Sequence, residues 1–346
     1  EILNTCVQCR GCEPACPSGV PYGRLIEAAK NELAAQHRSA PWWQRLGLRL
    51  LRHHRLLLIG TPILAVAQRL HLIPKRAGLS TLPMRLGPPV VATSLTPDVW
   101  LFTGCVMDAW QRSTHRSVAA LIKAAGFSYG LPTQAGSCCG ALHSHAGLAH
   151  EAQTLARSVM TSMPGASPII VDSAGCGAAL KDYGHLLGTP EAVAFSERVF
   201  DVHEWLEPHI NSVITTHVPD GDKIDVVIQD PCHLRHVQKA HIAVRTILAP
   251  VAHLIELDDD GLCCGAGGAY SIVEPELAGQ IRERKVRNIL MKSPDANTLV
   301  ASANPGCLMY LQGAGLVVKH PVDILAEALG LVPTTDHPQS KGTALS

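Results

Sequence analysis

Twelve cysteines in a chain of 346 residues carry most of the chemistry this sequence can offer, and their spacing sorts them into groups. The first group is Cys6-x2-Cys9-x2-Cys12-x3-Cys16, followed by Pro17. Three cysteines at intervals of three on a tight loop can aim their sulfurs at one cubane. The cysteine before the proline points away and, in two-cluster ferredoxins, ligates the other cluster. A structural zinc site would usually split into two separated C-x2-C knuckles, and this run is continuous. The pattern predicts 4Fe-4S ligation by Cys6, Cys9, Cys12 and Cys16. Such runs come in pairs, so we expect a first run to have been lost with an upstream N-terminal part. Cys16 would then lack its cluster, and the other three a fourth ligand.

The remaining eight cysteines form a repeat: Cys105, Cys138-Cys139 and Cys176, then Cys232, Cys263-Cys264 and Cys307. The offsets between the halves are 127 (Cys105 to Cys232), 125 (Cys138 to Cys263) and 131 (Cys176 to Cys307) residues. Adjacent thiols are poor disulfide partners, because the ring closed across one peptide bond is strained. In a reducing compartment, clustered cysteines read as metal ligands. Each pair is then two ligands on one turn, and each half supplies four thiolates. Whether both halves hold metal is left open, since one set could be a relic or a packing feature.

The elements that must position these thiols follow from the patterning. Apolar runs at 98–104, 168–172, 224–230 and 298–302 read as buried strands, each running towards a single cysteine. Helical stretches at 114–125, 140–162, 236–248 and 274–292 lie between the landmarks. Strands alternating with helices imply two α/β units with largely parallel sheets. The cysteines would then lie at the carboxyl ends of parallel strands, where open α/β sheets place their ligands. Gly104, Gly140, Gly175, Gly265 and Gly306 stand beside these sites, and we expect them to let backbone approach an inorganic core without a Cβ clash.

We divide the chain into a partial ferredoxin-type domain at 1–35, a helical connector and linker at 36–97, the two repeats at 98–212 and 220–332, and a tail at 333–346. A helix at 24–35 closes the first part. Residues 40–76 are basic and apolar at helical spacing, with Leu46, Leu50, Leu57, Ile63 and Leu64. Their longest uncharged stretch, Leu56–Gln68, has 13 residues and is too short to span a bilayer. This segment reads either as two helices packed on the body or as a surface for a membrane or partner, with Trp42 and Trp43 at the interface. The Pro/Gly/Ser-rich stretch 77–97 reads as a linker.

Composition narrows the function. The chain is 47% hydrophobic and only 4% aromatic, so Leu, Val, Ile and Ala must build the core. Lys+Arg and Asp+Glu each total 29, which leaves no overall field to attract nucleic acid. There is no Walker loop and no Ser/His/Asp arrangement. The Gly265–Gly268 stretch lacks the G-x-G-x-x-G frame, and the chain shows no flavin site of its own. His143 and His233 stand next to cysteines and could ligate or tune iron. His53, His54 and His150 read as surface residues, and Asp258–Asp260 as a solvated loop. Such a chain carries electrons that another subunit extracts.

The motifs "CVQCRGCEPACPSGVPYGRLIE", "GCVMD", "DSAGCGAALKDYG", "QDPCHLRHVQ", "CCGAGGAYSIVEPELA" and "NPGCLMYLQ" resemble the cysteine-rich CCG family. That family includes heterodisulfide reductase, lactate-utilisation, anaerobic glycerol-3-phosphate dehydrogenase and glycolate oxidase iron–sulfur subunits, and the wording is most similar to the last. The resemblance implies 4Fe-4S clusters in this chain and FAD on a partner oxidase subunit. It also implies quinone as acceptor, and a cytoplasmic protein that can lie on the inner face of the plasma membrane through residues 40–76. A thiol–disulfide reductase of the heterodisulfide type is the alternative, as are lactate or glycerol-3-phosphate dehydrogenase subunits. In the heterodisulfide branch the last cysteine of each repeat belongs to a C-x2-C pair. Here Ala179 and Tyr310 take the second position, which disfavours a disulfide-cleaving cluster.

Overall fold

The computed structural model describes residues 2–36, 41–72, 80–134, 136–219, 221–259 and 261–333. Two four-stranded sheets form its centre. In the first, β1 (Val99–Phe102), β2 (Tyr129–Gly130), β3 (Ile169–Val171) and β4 (Val199–Asp201) lie in the order β2-β1-β3-β4. In the second, β5 (Ile224–Ile228), β6 (Ala252–Glu256), β7 (Leu299–Ala301) and β8 (Val318–Lys319) lie in the order β6-β5-β7-β8. Every pairing is parallel. β1 and β3 are apolar throughout and buried at every residue, as strands covered on both faces must be. The expected strands are all present, each a little shorter than its apolar run.

The two orders are the same topology written twice. In each, the first strand sends its chain to one side for the second, and the third lies on the other side. Strand order therefore reverses between β1 and β3, and again between β5 and β7. A crevice opens at the carboxyl ends of the strands at such a point. Cys105 follows β1 and Cys176 follows β3, while Cys232 follows β5 and Cys307 follows β7.

The repeats pack reciprocally. Helix Arg112–Ala124 of the first lies on Pro321–Ala328 of the second, and Val202–Leu206 of the first lies on His241–Leu248 of the second. One apolar core runs through this seam, with Val99, Leu101 and Ile122 from one repeat meeting Val226, Ile247 and Leu325 from the other. Several buried polar side chains meet within it. His115 Nδ1 meets Asp172 Oδ2 at 2.6 Å, His320 Nε2 donates to the Asp172 carbonyl at 3.0 Å, and Thr114 Oγ1 donates to Asp323 Oδ2 at 2.8 Å.

Three sequence expectations need adjusting. The expected helix at 236–248 is a helix at His241–Leu248, preceded by a π-helical stretch at His233–Gln238 and a left-handed Lys239 (φ +58°). The helical stretch 140–162 is two helices, Ala141–His145 and Ala149–Ser162, separated at Gly147, whose φ of +75° favours glycine. The described part of the expected linker, 80–97, has no regular structure but lies against the body. Leu82 is fully buried in the core of the second repeat, and the Ser80 N–H donates to Met309 O.

Helices Trp42–Leu51 and His54–Arg69 form a hairpin against the first repeat. The second of them buries small side chains, Thr61 and Ala65, and leaves Leu56, Ile59, Ile63, Val66 and Leu70 exposed along one stripe. Trp110 Nε1 donates to Thr61 Oγ1 at 2.9 Å. His54 is not a free surface residue. It meets Asp108 Oδ2 at 2.6 Å, and its ring covers the backbone of Gly136, just before the first cysteine pair. Arg112 shares the same carboxylate, and together they hold Asp108 at about 2 against the upward push of burial. Among the described residues, no helix is long and apolar enough to cross a membrane.

Candidate metal centres

In the first repeat, Cys105, Cys138, Cys139 and Cys176 come together at the strand-end crevice. Cys105 touches Cys138, Cys138 touches Cys139, and Cys139 Sγ lies 3.2 Å from Cys176 Sγ. The second repeat reproduces the chain of contacts: Cys232 to Cys263, Cys263 to Cys264, Cys264 to Cys307. All twelve cysteines are free thiols. Each pair sits on a turn closed by a left-handed glycine, Gly140 (φ +84°) or Gly265 (φ +89°). A Cβ there would stand 3.2 Å from Ala152 O in the first repeat and 2.5 Å from Ala278 O in the second. These glycines are thus required by the turn and by the helix packed behind it, rather than by room for an inorganic core.

The thiols differ in electrostatics between the two sets. Cys138 is held well below the ordinary thiol value, first by the hydrogen bond from Cys105, then by that from Cys139, with His143 contributing. Cys105 and Cys139, which donate to it, are pushed up. In the second set Cys232 is raised by its bond to Cys263 and by burial. Cys263 and Cys264 each gain from one neighbouring thiol, but the other neighbour and burial leave both raised.

In the N-terminal run, Cys6, Cys9 and Cys12 stand within electrostatic reach of one another, and Cys9 also faces Cys232. Cys16 turns into its own loop, where the Val20 and Ser18 N–H groups lower its pKa. The loop is anchored on the second repeat: Tyr270 Oη donates to Thr5 O at 2.8 Å, and Val7 packs into the core that contains Cys264 and Cys307.

The donor chemistry fits iron–sulfur clusters. Each pocket offers four soft sulfurs, largely shielded from water, two just past strand ends and two on a glycine-closed turn. Among the described residues no group of three or more His, Cys, Asp or Glu side chains is arranged to hold an ion. In a 4Fe-4S cluster each cysteine would ligate its own iron, so Cys105, Cys138, Cys139 and Cys176 would supply one thiolate to each of four irons.

Several partners of these thiols were not legible in the sequence. Asn304 Nδ2 faces Cys307 Sγ at 3.6 Å, while its Oδ1 accepts from the Gly175 N–H at 3.0 Å, so one side chain links the two pockets. Tyr183 Oη donates to the Cys139 carbonyl at 2.8 Å. His233 Nδ1 lies 3.5 Å from Cys232 Sγ, and its ring packs on His145 at 5.6 Å between centroids. Burial and then His233 push His145 down to about 3. The expected solvated loop is solvated only in part. Asp258 is exposed, but the Asp259 side chain is shielded and meets the fully buried Lys285 Nζ of helix Pro275–Lys292 at 2.5 Å. Asp260 lies outside the described residues.

The cysteine-rich domain family "CCG" matches twice, at residues 99–181 and 226–312, one match on each repeat. A probable glycolate oxidase iron–sulfur subunit of Bacillus subtilis is 30% identical, over 95% of this chain and 82% of the relative. The chain belongs to the glycolate oxidase iron–sulfur subunit family. The glycolate oxidase iron–sulfur subunit of Escherichia coli is 27% identical over the same shares of the two chains. A dihydromethanophenazine:CoB–CoM heterodisulfide reductase component from Methanosarcina barkeri is 29% identical over 70% of this chain and 62% of its own. Three residues after Cys176 and Cys307 this chain has Ala179 and Tyr310 rather than thiols. Ala179 packs in the first repeat's core. The Tyr310 ring is buried beside Gly265, with the Arg282 guanidinium 4.4 Å above it.

Proposed function

We propose that this chain is the electron-carrying subunit of a flavin-dependent glycolate (2-hydroxy-acid) oxidase, and that it passes single electrons from an FAD-bearing partner subunit towards a quinone. The observation that supports this most is the pair of four-thiol pockets at equivalent strand ends of the two repeats. Cys105, Cys138, Cys139 and Cys176 would hold one cluster, and Cys232, Cys263, Cys264 and Cys307 a second. Cys6, Cys9 and Cys12, with Cys16 serving a neighbouring cluster, form the ferredoxin-type site. Iron–sulfur clusters of the 4Fe-4S type supply one-electron chemistry at potentials set by hydrogen bonding, charge and solvent exposure. The chain's own part is to hold the sulfurs at strand ends and glycine-closed turns and to exclude water. Asn304 and Tyr183 orient the cysteine-bearing turns.

Replacing Cys263 or Cys264 with Ser in the assembled complex tests this, because serine keeps the shape but offers a hard oxygen where iron–sulfur chemistry prefers a thiolate. Stopped-flow bleaching of the partner's flavin by glycolate should survive, while quinone reduction should be lost. Loss of both in an assembled complex would point to chemistry at this chain, as in a disulfide reductase. Loss of neither would make the pair structural.

The helical hairpin would supply a peripheral membrane contact. No acidic residue occurs from 33 to 97, although the chain as a whole is neutral. The exposed stripe Leu56, Ile59, Ile63, Val66, with Trp42 beside Arg45 and Arg49, suits an anionic bilayer surface. Co-flotation of the complex with phosphatidylglycerol vesicles, weakened by Ile59→Asp with Ile63→Asp, is the expected result. Equal flotation of the variant would remove this role.

A further inference from the structure

His143 lies in the first repeat, in the short helix that follows Cys138-Cys139-Gly140, with its N–H returned to the Gly140 carbonyl at 2.9 Å. Its imidazole is 1% exposed, and neither ring nitrogen makes a well-formed hydrogen bond, although the ring stands close enough to the Cys138 thiol to lower its pKa. A buried polar group left unmade costs about 1–3 kcal/mol, so an orphaned imidazole in a packed interior calls for a partner. The side chain in reach is the Cys138 thiol, the one that Cys105 and Cys139 also face. A thiol pointing its hydrogen elsewhere is a weak acceptor for an imidazole N–H. A metal-bound thiolate is a strong one, and a hydrogen bond to an ionised acceptor is roughly twice as strong as a neutral one. The second repeat has no imidazole in this place: the residue five positions after Cys263 is Gly268. There the sulfur partners are the neutral amide of Asn304 at Cys307 and the half-buried imidazole of His233 at Cys232.

We propose that His143 is a positioning residue that donates a hydrogen bond to the Cys138 thiolate of the loaded first-repeat cluster, stabilising its reduced form and raising its potential. Reduction adds negative charge to the cluster and its thiolates, so a donor at the sulfur favours the reduced state, and its loss lowers the potential. The inference rests on the reading that the first repeat holds a cluster.

The test is made on the cluster-loaded complex. The first-repeat signal is assigned as the electron paramagnetic resonance of the dithionite-reduced protein that disappears in Cys138→Ser. In wild-type protein labelled with 15N-histidine, pulsed resonance should detect nitrogen coupling on that signal, with no substitution required. In His143→Leu, redox titration should show the reduced-to-oxidised ratio of that cluster falling about tenfold at fixed poise, the scale of one charge-assisted hydrogen bond. The other signals should stay in place, and His143→Gln, which keeps an N–H, should restore part of the shift. A coupled signal is required: its absence, an unchanged potential in His143→Leu, or an equal shift of every signal overturns the inference while leaving the electron-carrying reading intact. A spectrum that Cys138→Ser leaves unchanged overturns the first-repeat cluster itself, and this inference with it.

Discussion

Cys138 and Cys263 hold the same place in their repeats, on a left-handed turn after a short approach from a parallel sheet, and the protein surrounds them differently. Cys138 receives hydrogen bonds from Cys105 and Cys139 and has a buried imidazole at its side, so it is held low. Cys263 has a lowering bond from Cys232 but is left raised by Cys264 and by burial. The turn before Cys263 is pinned by the buried Lys285–Asp259 pair, whereas the turn after Cys139 is pinned by Tyr183 at a main-chain carbonyl. The first pocket is covered by the helical hairpin through His54, and the second by the N-terminal cysteine loop through Val7 and Tyr270. A repeat copies the frame, because topology and the glycine turns are local; the environment of the thiols comes from whatever packs on each copy.

The largest expected effect separates the pockets outright. Cys138→Ser with Cys139→Ser should remove the iron and labile sulfide of one cluster, and Cys263→Ser with Cys264→Ser those of another, each leaving the rest bound. Loss of all iron in either variant would mean that the repeats are loaded as one unit.

Next in size is Lys285→Met, which leaves the Asp259 carboxylate buried without its partner. Breaking one side of such a pair costs about 3–5 kcal/mol. Chemical denaturation should show that loss, and iron should leave the second repeat before the first. Equal loss from both would refute a repeat-specific anchor.

The seam between the repeats responds to pH through Asp323, which burial raises to about 6 despite the hydroxyls of Ser117 and Thr114. Its unfolded value is about 3.9. An acid with a raised folded pKa contributes stability that is full below the unfolded value and is lost as pH rises through the folded one. The window is therefore about 3.9 to 6, and the loss roughly 3 kcal/mol. Asp323→Asn, which can still accept from Thr114, should raise the melting temperature at pH 8 and leave it little changed at pH 4. A gain of the same size at both pH values would rule out this linkage.

The smallest expected difference sets two buried tyrosines against each other. Tyr183→Phe removes the hydrogen bond to the Cys139 carbonyl and should cost about 1 kcal/mol. Tyr310→Phe keeps the ring that Arg282 covers and should cost less. Equal costs by denaturation would remove this distinction between the turns.

The sequence by itself determined the cysteine sets, the duplicated parallel sheets and the strand-end position of the thiols. Those features depend on spacing, on apolar runs and on glycines, all of which act within a few residues. It left His54 looking like surface and Asp259 like a solvated loop, because a charge with a partner far away in the chain reads as an exposed charge. Tertiary structure decided the rest. Asp108 lies 54 residues from His54, and Gly175 lies 129 residues from Asn304, so only folding brings them within hydrogen-bonding distance. The glycines beside the cysteine pairs were legible as necessary and misread as to cause: their missing Cβ makes room for the carbonyls of Ala152 and Ala278, atoms that no local pattern places there. The difference between the two pockets is likewise tertiary. Thiols set by one repeated frame acquire unlike acidities when different neighbours desolvate and hydrogen-bond them.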